Sequence, residues 1–400
     1  MRKGLSYHGR RNTVNNGASL AFNFLNGQGL DPRITFTRAS SATFVGSNGL
    51  IQSATTNTPR FDYDPVTLAA KGLLIEEQRT NLLTYSEQFD NAAWTKRGTC
   101  TVTPNAISAP DGTTSADLIS GLGGTGNDLY STVATVTLNA PDSPSFFINK
   151  VSTTGTLRVG NPSDSSKGNW YIDLSLVGSG WQRITLGHPS VTVITSFVGN
   201  GGGDGLIFLT QAGGPLSFYL WGAQLEAGSF PTSYIPTVAS QVTRAADVAS
   251  VNTLSPWYNA TEGTIYVEAD SFVNITTAQV YNSASINDGT SSNRHRMFIY
   301  NGNWGAAEVV GGVNQCDLQR FASYTANVPA KSAFGYKIND FALSVNGTAA
   351  LTDTSGSVAT SLSRLSIGGS PTDNFINGHI RRITYYPRRL TNAELQAITA

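Results

Sequence analysis

The sequence carries little charge. Charged residues make up 13% of its 400 residues, and 26 basic side chains balance 26 acidic ones. A nucleic-acid-binding surface usually has a net basic stripe that displaces counterions. The nearest candidates for such a stripe are two small groups: Arg2, Lys3, Arg10 and Arg11, and Arg381, Arg382, Arg388 and Arg389. We interpret both groups as solvated surface and expect no nucleic-acid partner.

Cysteines and long apolar runs are also scarce. Cys100 and Cys316 are the two cysteines and lie far apart, so the sequence indicates two unpaired thiols rather than a metal knuckle or a local disulfide. No stretch approaches the ~20 apolar residues of a membrane-spanning helix. Residues 1–10 are basic without an apolar run behind them, so no signal peptide is predicted. A weakly charged, extracellular type of composition without an export signal fits a virion, which leaves its host by lysis.

The local motifs of common catalytic and metal sites are missing. Gly-x-Ser-x-Gly, His-x-x-x-His and Cys-x-x-Cys do not occur, and the glycine-rich residues 201–205 lack the Lys-Ser/Thr of a phosphate loop. The histidines have unrelated sequence neighbours: His8, His188, His295 and His379. We therefore predict no catalytic residue, no metal ligand and no cofactor, and expect that the chain is not an enzyme.

Two kinds of site remain as alternatives. A glycan hydrolase needs two carboxylates that face each other across about 5 to 9.5 Å. Acids in predicted strands are available for this, but structural pairing or solvation explains them as well: Asp173, Glu226, Glu268 and Asp270. A structural calcium ion would take loop oxygens such as those of residues 287–289 and 373–374, which ordinary turn chemistry explains equally well.

What the chain does contain favours β-structure. It has 41 glycines, and its 40% hydrophobic and 10% aromatic residues are enough to fill cores. Short apolar segments broken by turn residues are typical of a sandwich or jelly roll, and no period of 20 to 50 residues supports a stacked β-helix. The predicted fold is all-β, with two β-sandwich domains after an N-terminal segment. The predicted boundaries are an N-terminal docking segment (1–33), an extended connector (34–84), a first sandwich (85–237) and a second sandwich (248–400).

Four local signals predict individual elements. Residues 20–25 form an apolar patch that either anchors the chain on a partner or makes a lone strand. Residues 263–269 alternate with period two, and Asn346-Gly347 after residues 341–345 predicts a type I′ hairpin turn. Thr391, followed by Glu394 three residues later, predicts an N-capped terminal helix.

Several ordered strings resemble the head-spike and tail-fibre proteins of tailed phages. They cover roughly residues 33–237 and are residues 34–43 (ITFTRASSAT), 59–64 (PRFDYD), 72–82 (GLLIEEQRTNL), 221–228 (WGAQLEAG) and 231–237 (PTSYIPT). The segment between them resembles the carbohydrate-binding jelly rolls of such proteins. The region after 248 is similar to a concanavalin A-like, laminin-G-type sandwich, on residues 377–380 (NGHI) and 386–395 (YPRRLTNAEL).

The resemblance implies a virion structural protein on the head or tail surface. It implies docking on other phage structural proteins through the N-terminal segment, contact with host-surface glycans, and a homo-oligomer, most often a trimer, that gives avidity to weak contacts. Sugars stack on exposed aromatic faces, and the candidate glycan contacts are Trp304, in a small polar stretch interpreted as a loop tip, and Trp170. The alternatives are a purely architectural decoration protein and a glycan depolymerase.

Overall fold

The computed structural model describes residues 17–27, 29–123, 127–131, 142–160, 169–186, 194–198, 207–212, 215–274, 279–369 and 374–400. The predicted all-β fold class is confirmed, because strands dominate these residues and the one α-helix described among them is α1, Asn392–Thr399. No helix in this part of the chain is long and apolar enough to cross a membrane. The chain divides into two compact units: a C-terminal unit (residues up to 35, 249–270 and 275–400) and a central unit (36–248 with 271–274).

The first group of strands lies between residues 20 and 160. They are β1 (Leu20–Asn23), β2 (Ile34–Thr37), β3 (Ala42–Val45), β4 (Ile51–Ala54), β5 (Phe61–Tyr63), β6 (Ala70–Ile75), β7 (Arg79–Asn81), β8 (Trp94–Lys96), β9 (Thr101–Ile107), β10 (Ala116–Leu122), β11 (Leu129–Ser131), β12 (Asp142–Lys150) and β13 (Thr156–Gly160). A 3-10 turn, Phe24–Asn26, follows β1.

Further strands follow from residue 169 onward. They are β14 (Asn169–Asp173), β15 (Gln182–Thr185), β16 (Ile194–Val198), β17 (Ile207–Ala212), β18 (Leu216–Ala227), β19 (Val242–Arg244), β20 (Val248–Val251), β21 (Glu262–Ser271), β22 (Val280–Asn287), β23 (Arg294–Tyr300), β24 (Asn303–Val310), β25 (Val313–Arg320), β26 (Ala330–Lys337), β27 (Phe341–Val345), β28 (Leu351–Asp353), β29 (Arg364–Ile367) and β30 (Gly378–Tyr386).

The central unit contains two antiparallel sheets. One has the strand order β15-β12-β18-β10-β9 and the other β16-β14-β13-β17-β11-β8. Their apolar side chains form one buried core that includes Leu83, Phe89, Trp94, Ile119, Phe146, Ile172 and Phe218. Non-consecutive strands lie side by side, as in β12-β18-β10, so the core is assembled by long-range pairing.

The segment predicted as a connector, residues 34–84, does not stand apart from this sandwich. From Phe36 onward it belongs to the same compact unit. Its strands pair as the hairpins β3–β4 and β5–β6, and β7 pairs with β19 from residues 242–244. The β3–β4 turn contains Gly49 at φ 79°, which agrees with the tight turn that a glycine permits there.

The C-terminal unit also has two sheets. One contains the order β28-β27-β26-β21-β30, with β1 paired to β30, and the other contains β20-β29-β22-β23-β24-β25. The predicted turn after β27 is confirmed, since Asn346 and Gly347 both have positive φ, 48° and 71°. The predicted helix is confirmed too, as α1 begins with the full capping box of Thr391 and Glu394.

The described part of the N-terminal segment is a strand of this unit rather than a separate element. Leu20 lies opposite Tyr385 and Phe22 opposite Ile383 in the β1–β30 ladder. Leu20, Phe22 and Phe24 are all buried because the apolar patch packs on the unit's own core. Of the two sequence-based alternatives, the structure thus shows the strand, while residues 1–16 lie outside the described residues and docking on a particle stays a prediction.

Candidate functional site

The two tryptophans predicted as glycan contacts are both buried. Trp304 is only 1% exposed, because the turn between β23 and β24 ends at Asn301-Gly302 and Trp304 already belongs to β24, opposite Ile299. Trp170 lies in β14, is 7% exposed and is part of the central unit's core. The expectation of an exposed loop-tip indole at Trp304 is therefore wrong, and neither ring offers a face to a sugar.

A cleft of about 490 Å³ lies in the C-terminal unit, at the end of β20. It is lined by Ser19, Pro32, Arg33, Thr35, Val251, Asn252, Thr253, Ser255, Pro256 and Trp257. All of these residues except Val251 and Trp257 are exposed, and most carry a hydroxyl or an amide. Its volume falls within the roughly 300–1,000 Å³ of small-molecule sites.

The floor of this cleft is built by Trp257. Its Nε1 donates to the carbonyl oxygen of Thr253 at 2.9 Å, and its ring contacts Tyr385 edge-on at 5.1 Å between centroids. Ser19 Oγ donates to the Trp257 carbonyl oxygen at 2.6 Å, which fixes the N-terminal segment against the floor. Because the indole is held at its nitrogen and its ring, the cleft is preformed.

The charge of the cleft is internally balanced. Arg33 Nε and Nη2 donate to the two carboxylate oxygens of Asp31, each at 2.8 Å, and the guanidinium lies 5.2 Å from the centre of the Phe22 ring. The hydrogen bond from Arg33 lowers the pKa of Asp31, and the hydrogen bond to Asp31 raises the pKa of Arg33. Both groups are therefore ionised at neutral pH, and their charges cancel.

A buried ionic cluster occupies the central unit, and sequence reasoning missed it. It comprises Arg38, Arg60, Glu76, Arg244 and Asp247, whose side chains are at most 1% exposed. Arg60 Nη2 lies 2.7 Å from Glu76 Oε2 and also contacts Asp247, while Arg38 Nη1 lies 3.0 Å from Asp247 Oδ1. One sequence feature could have indicated the cluster: Glu76 directly follows the apolar residues of β6, so its carboxylate is placed next to the core.

The cluster holds the Glu76 carboxylate in the ionised form. Burial alone would raise the pKa of Glu76, but the charges of Arg244 and Arg60 and two bonds from Ser233 outweigh it and place that pKa at about 2. Ser233 donates from both its backbone N and its Oγ, each at 2.7 Å. The cluster has three arginines and two acids. Its guanidinium groups also donate hydrogen bonds to backbone carbonyl oxygens, such as that of Thr43 at 2.8 Å from Arg60 Nη1, which partly compensate the excess positive charge.

The acids considered for glycan hydrolysis each have a local partner. Glu226 is buried and accepts from Thr232 N at 2.8 Å, and Glu268 pairs with Arg382 at 3.3 Å. Asp173 Oδ1 accepts from Ser175. These contacts cap turns and neutralise charge, so they explain the acids as structural groups.

Two histidines have acid partners that their sequence neighbours did not reveal. His295 Nδ1 lies 2.5 Å from Glu308 Oε2, and its Nε2 lies 2.9 Å from the Tyr258 hydroxyl. His379 Nδ1 lies 2.7 Å from Asp270 Oδ1. All of these groups except Tyr258 are buried, and they tie neighbouring strands of the C-terminal unit together.

The loop considered for calcium satisfies its oxygens within itself. Asp288 Oδ1 accepts from Thr290 N at 2.8 Å and Oδ2 accepts from Asn293 Nδ2 at 2.8 Å, while Asn287 Oδ1 accepts from Gly289 N at 3.0 Å. Turn chemistry thus accounts for these residues. Residue 373 lies outside the described residues, and among those described no group of three or more His, Cys, Asp and Glu side chains is placed to hold a metal.

Comparison with solved structures finds chains of low similarity. The CBM40 of Ruminococcus gnavus IT-sialidase bound to α2,3-sialyllactose is 19% identical (TM-score 0.30; 36% of this chain, 84% of that one). The NanB sialidase of Streptococcus pneumoniae is 14% identical (0.32; 37% and 26%), and a SAP-like pentraxin of Limulus polyphemus is 12% identical (0.28; 35% and 70%). Similarity of this extent does not indicate what this chain binds. No family model and no curated protein matches the sequence.

Proposed function

We propose that this chain is a non-enzymatic structural protein of a tailed-phage particle, a spike or fibre subunit that presents β-sandwich units for weak contact with host-surface glycans. The proposal begins from the ordered strings between residues 34 and 237 that resemble such proteins. We also propose a homo-oligomer, with a trimer favoured, from the same resemblance. Several copies presented together would give avidity to weak individual contacts.

The observation that carries the proposal is the buried ionic cluster. Four of the resembling strings each supply one residue to it or to its hydrogen bonds: Arg38, Arg60, Glu76 and Ser233. These residues lie up to 195 positions apart, from 38 to 233, and yet they contact a common set of groups. A chance likeness of separate short strings gives no reason for such convergence, whereas a shared structural module does.

The test of the particle role is co-purification. Phage particles from the strain that encodes the chain would be banded on a density gradient, analysed by quantitative mass spectrometry, and labelled with antibodies against the chain. We expect the chain to sediment with the particles at a fixed ratio to the major capsid protein and to be accessible to antibody. A chain found only in the soluble lysate, while the capsid protein bands normally, would overturn the proposal.

A second candidate function is pure architecture, in which the sandwiches act as spacers and bind no sugar. The burial of Trp304 and Trp170 favours it, because it removes the two aromatic faces that the sequence offered for sugar stacking. Glycan binding by the purified chain separates the two candidates, and the structure suggests where in the C-terminal unit to look for it.

A further inference from the structure

We infer that the cleft at the end of β20 is a binding site for a neutral sugar, with the hydroxyl and amide side chains of its rim as the recognising groups. The inference rests on the proposed function and deepens it, since it names the place of the glycan contact and the class of glycan. It also moves that contact away from both tryptophans that the sequence suggested.

The rim has the chemistry that sugar hydroxyls need. Thr35, Thr253 and Ser255 offer hydroxyls, and each hydroxyl both donates and accepts hydrogen bonds. Asn252 adds an amide that contacts Thr35 Oγ1. A sugar presents neighbouring hydroxyls that also donate and accept, so a row of such groups on one rim is complementary to it.

Asn252 is held in place and still has bonding capacity. Its Nδ2 donates to Thr35 Oγ1 at 3.3 Å, and its Oδ1 accepts from Ser250 Oγ at 3.1 Å. A carboxamide has two N–H groups and two lone pairs on oxygen. Within the described residues, these two bonds thus occupy half of that capacity and leave one donor and one acceptor for a ligand.

The charge balance selects against acidic sugars. Among the described residues that line the cleft, Arg33 is the one with an ionisable side chain, and two of its donors are committed to Asp31 in a bidentate pair. A site for a carboxylate, sulfate or phosphate would present an unpaired guanidinium or ammonium group. Here the positive charge is already cancelled, so the ligand that fits is uncharged.

Apolar surface completes the match. The exposed rings of Pro32 and Pro256 supply this surface, whereas the other two apolar lining residues, Val251 and Trp257, are buried and support the cleft from within. A pyranose has an apolar C–H face besides its hydroxyls, and ligand sites commonly combine an apolar lining with a few placed polar groups. The Trp257 floor is preformed, so binding needs little ordering of the protein.

The experiment uses the full chain on an array of neutral hexose, deoxyhexose and N-acetylhexosamine oligosaccharides, printed beside uronate- and sialate-bearing ones. Thr253→Arg places a long charged side chain in the cleft and is expected to weaken binding about tenfold or more. The matched control is Thr354→Arg, which makes the same change at an exposed threonine outside the cleft. Asn252→Ala is the second variant and is expected to weaken binding roughly fivefold through lost hydrogen bonds.

The possible outcomes distinguish a wrong location of the sugar site from a chain that binds no glycan. The inference is supported if the wild type and Thr354→Arg bind neutral glycans and both cleft variants bind them more weakly or not at all. The thermal unfolding of the cleft variants must be unchanged. Binding that survives Thr253→Arg and Asn252→Ala overturns the inference and leaves the proposed glycan contact intact at another place. Binding of acidic glycans alone overturns the inferred ligand class. A wild-type chain that binds no glycan overturns the site together with the glycan-binding half of the proposed function, and leaves the architectural role.

Discussion

Arg60 donates to the carboxylate of Glu76 across 2.7 Å in the interior of the central unit, and neither side chain has more than 1% of its surface exposed. Arg60 directly precedes β5, and Glu76 directly follows β6. Their pairing, completed by Asp247, makes residues 36–84 an integral part of the sandwich unit rather than a connector.

Removing one member of this pair should destabilise the protein strongly. Glu76→Gln would leave the three buried guanidinium groups of the cluster with Asp247 as their single carboxylate, and removing one partner of a buried ion pair typically costs about 3–5 kcal/mol. The neighbouring Glu77→Gln is the control, because Glu77 pairs with Arg79 but keeps 28% of its own side chain exposed, so the change should cost less, about 1–2 kcal/mol. Urea unfolding of both variants measures the difference, and equal effects would contradict the assigned role of the cluster.

The same pair predicts an acid transition. The pKa of Glu76 is about 2 in the folded protein against 4.5 for an unperturbed glutamate, so its lowered value contributes stability above pH 4.5. That contribution is lost as the pH falls from about 4.5 towards 2, where the folded protein must give up the buried carboxylate. The free energy of unfolding, measured by urea at pH 7, 5, 4 and 3, should fall steeply below pH 5. A flat profile over that range would show that Glu76 is not ionised inside the cluster.

Trp304 should behave as a core residue. Trp304→Ala removes a side chain that is 1% exposed, and loss of such a ring costs roughly 3–5 kcal/mol. Phe321→Ala removes an aromatic ring that is 81% exposed a short distance along the chain, and should change stability by less than about 0.5 kcal/mol. Thermal unfolding compares the two. If Trp304→Ala instead unfolds like the wild type and loses only glycan binding, the indole must be accessible, contrary to its place in β24.

The terminal helix should depend on its cap. Thr391 Oγ1 accepts from Glu394 N at 3.3 Å, and Glu394 Oε2 accepts from Thr391 N at 2.7 Å. Thr391→Ala removes the hydroxyl and should destabilise the C-terminal unit by about 1 kcal/mol, whereas Thr391→Ser keeps it and should cost only a few tenths. Amide hydrogen exchange across α1 gives the readout. Equal protection in the two variants would mean that packing of Leu395 alone holds the helix.

The features that sequence predicted correctly are those with local causes. The strand at residues 263–269, the positive φ at Asn346-Gly347 and the cap at Thr391 each depend on neighbours within a few positions. The predicted alternation of that strand is wrong, because residues 263–267 are all buried. The wrong prediction that Trp304 is exposed has a non-local cause. The small polar residues around it do make a turn, but the turn takes only two residues, and the indole is buried by packing between distant strands.

The candidate site could be predicted only in part, for the same reason. Nothing near Asn252 in the sequence signals a cleft, because the rim is completed by Thr35 and Ser19, more than 200 positions away. The ionic cluster likewise joins Arg38 to Asp247 across 209 positions. Individual residues of both sites carry ordinary local patterns, and only the long-range strand pairing of the fold brings them together.

The proposed role as a glycan-binding surface protein of the particle is tested most directly by competition for the host. The adsorption rate of the phage would be measured on host cells with and without an excess of the purified, assembled chain, and repeated with the Thr253→Arg variant as competitor. We predict that the wild-type chain slows adsorption several-fold and that Thr253→Arg slows it far less. An adsorption rate that the wild-type chain leaves unchanged, at concentrations that exceed the particle's own copies many times, would contradict host-glycan binding by this protein.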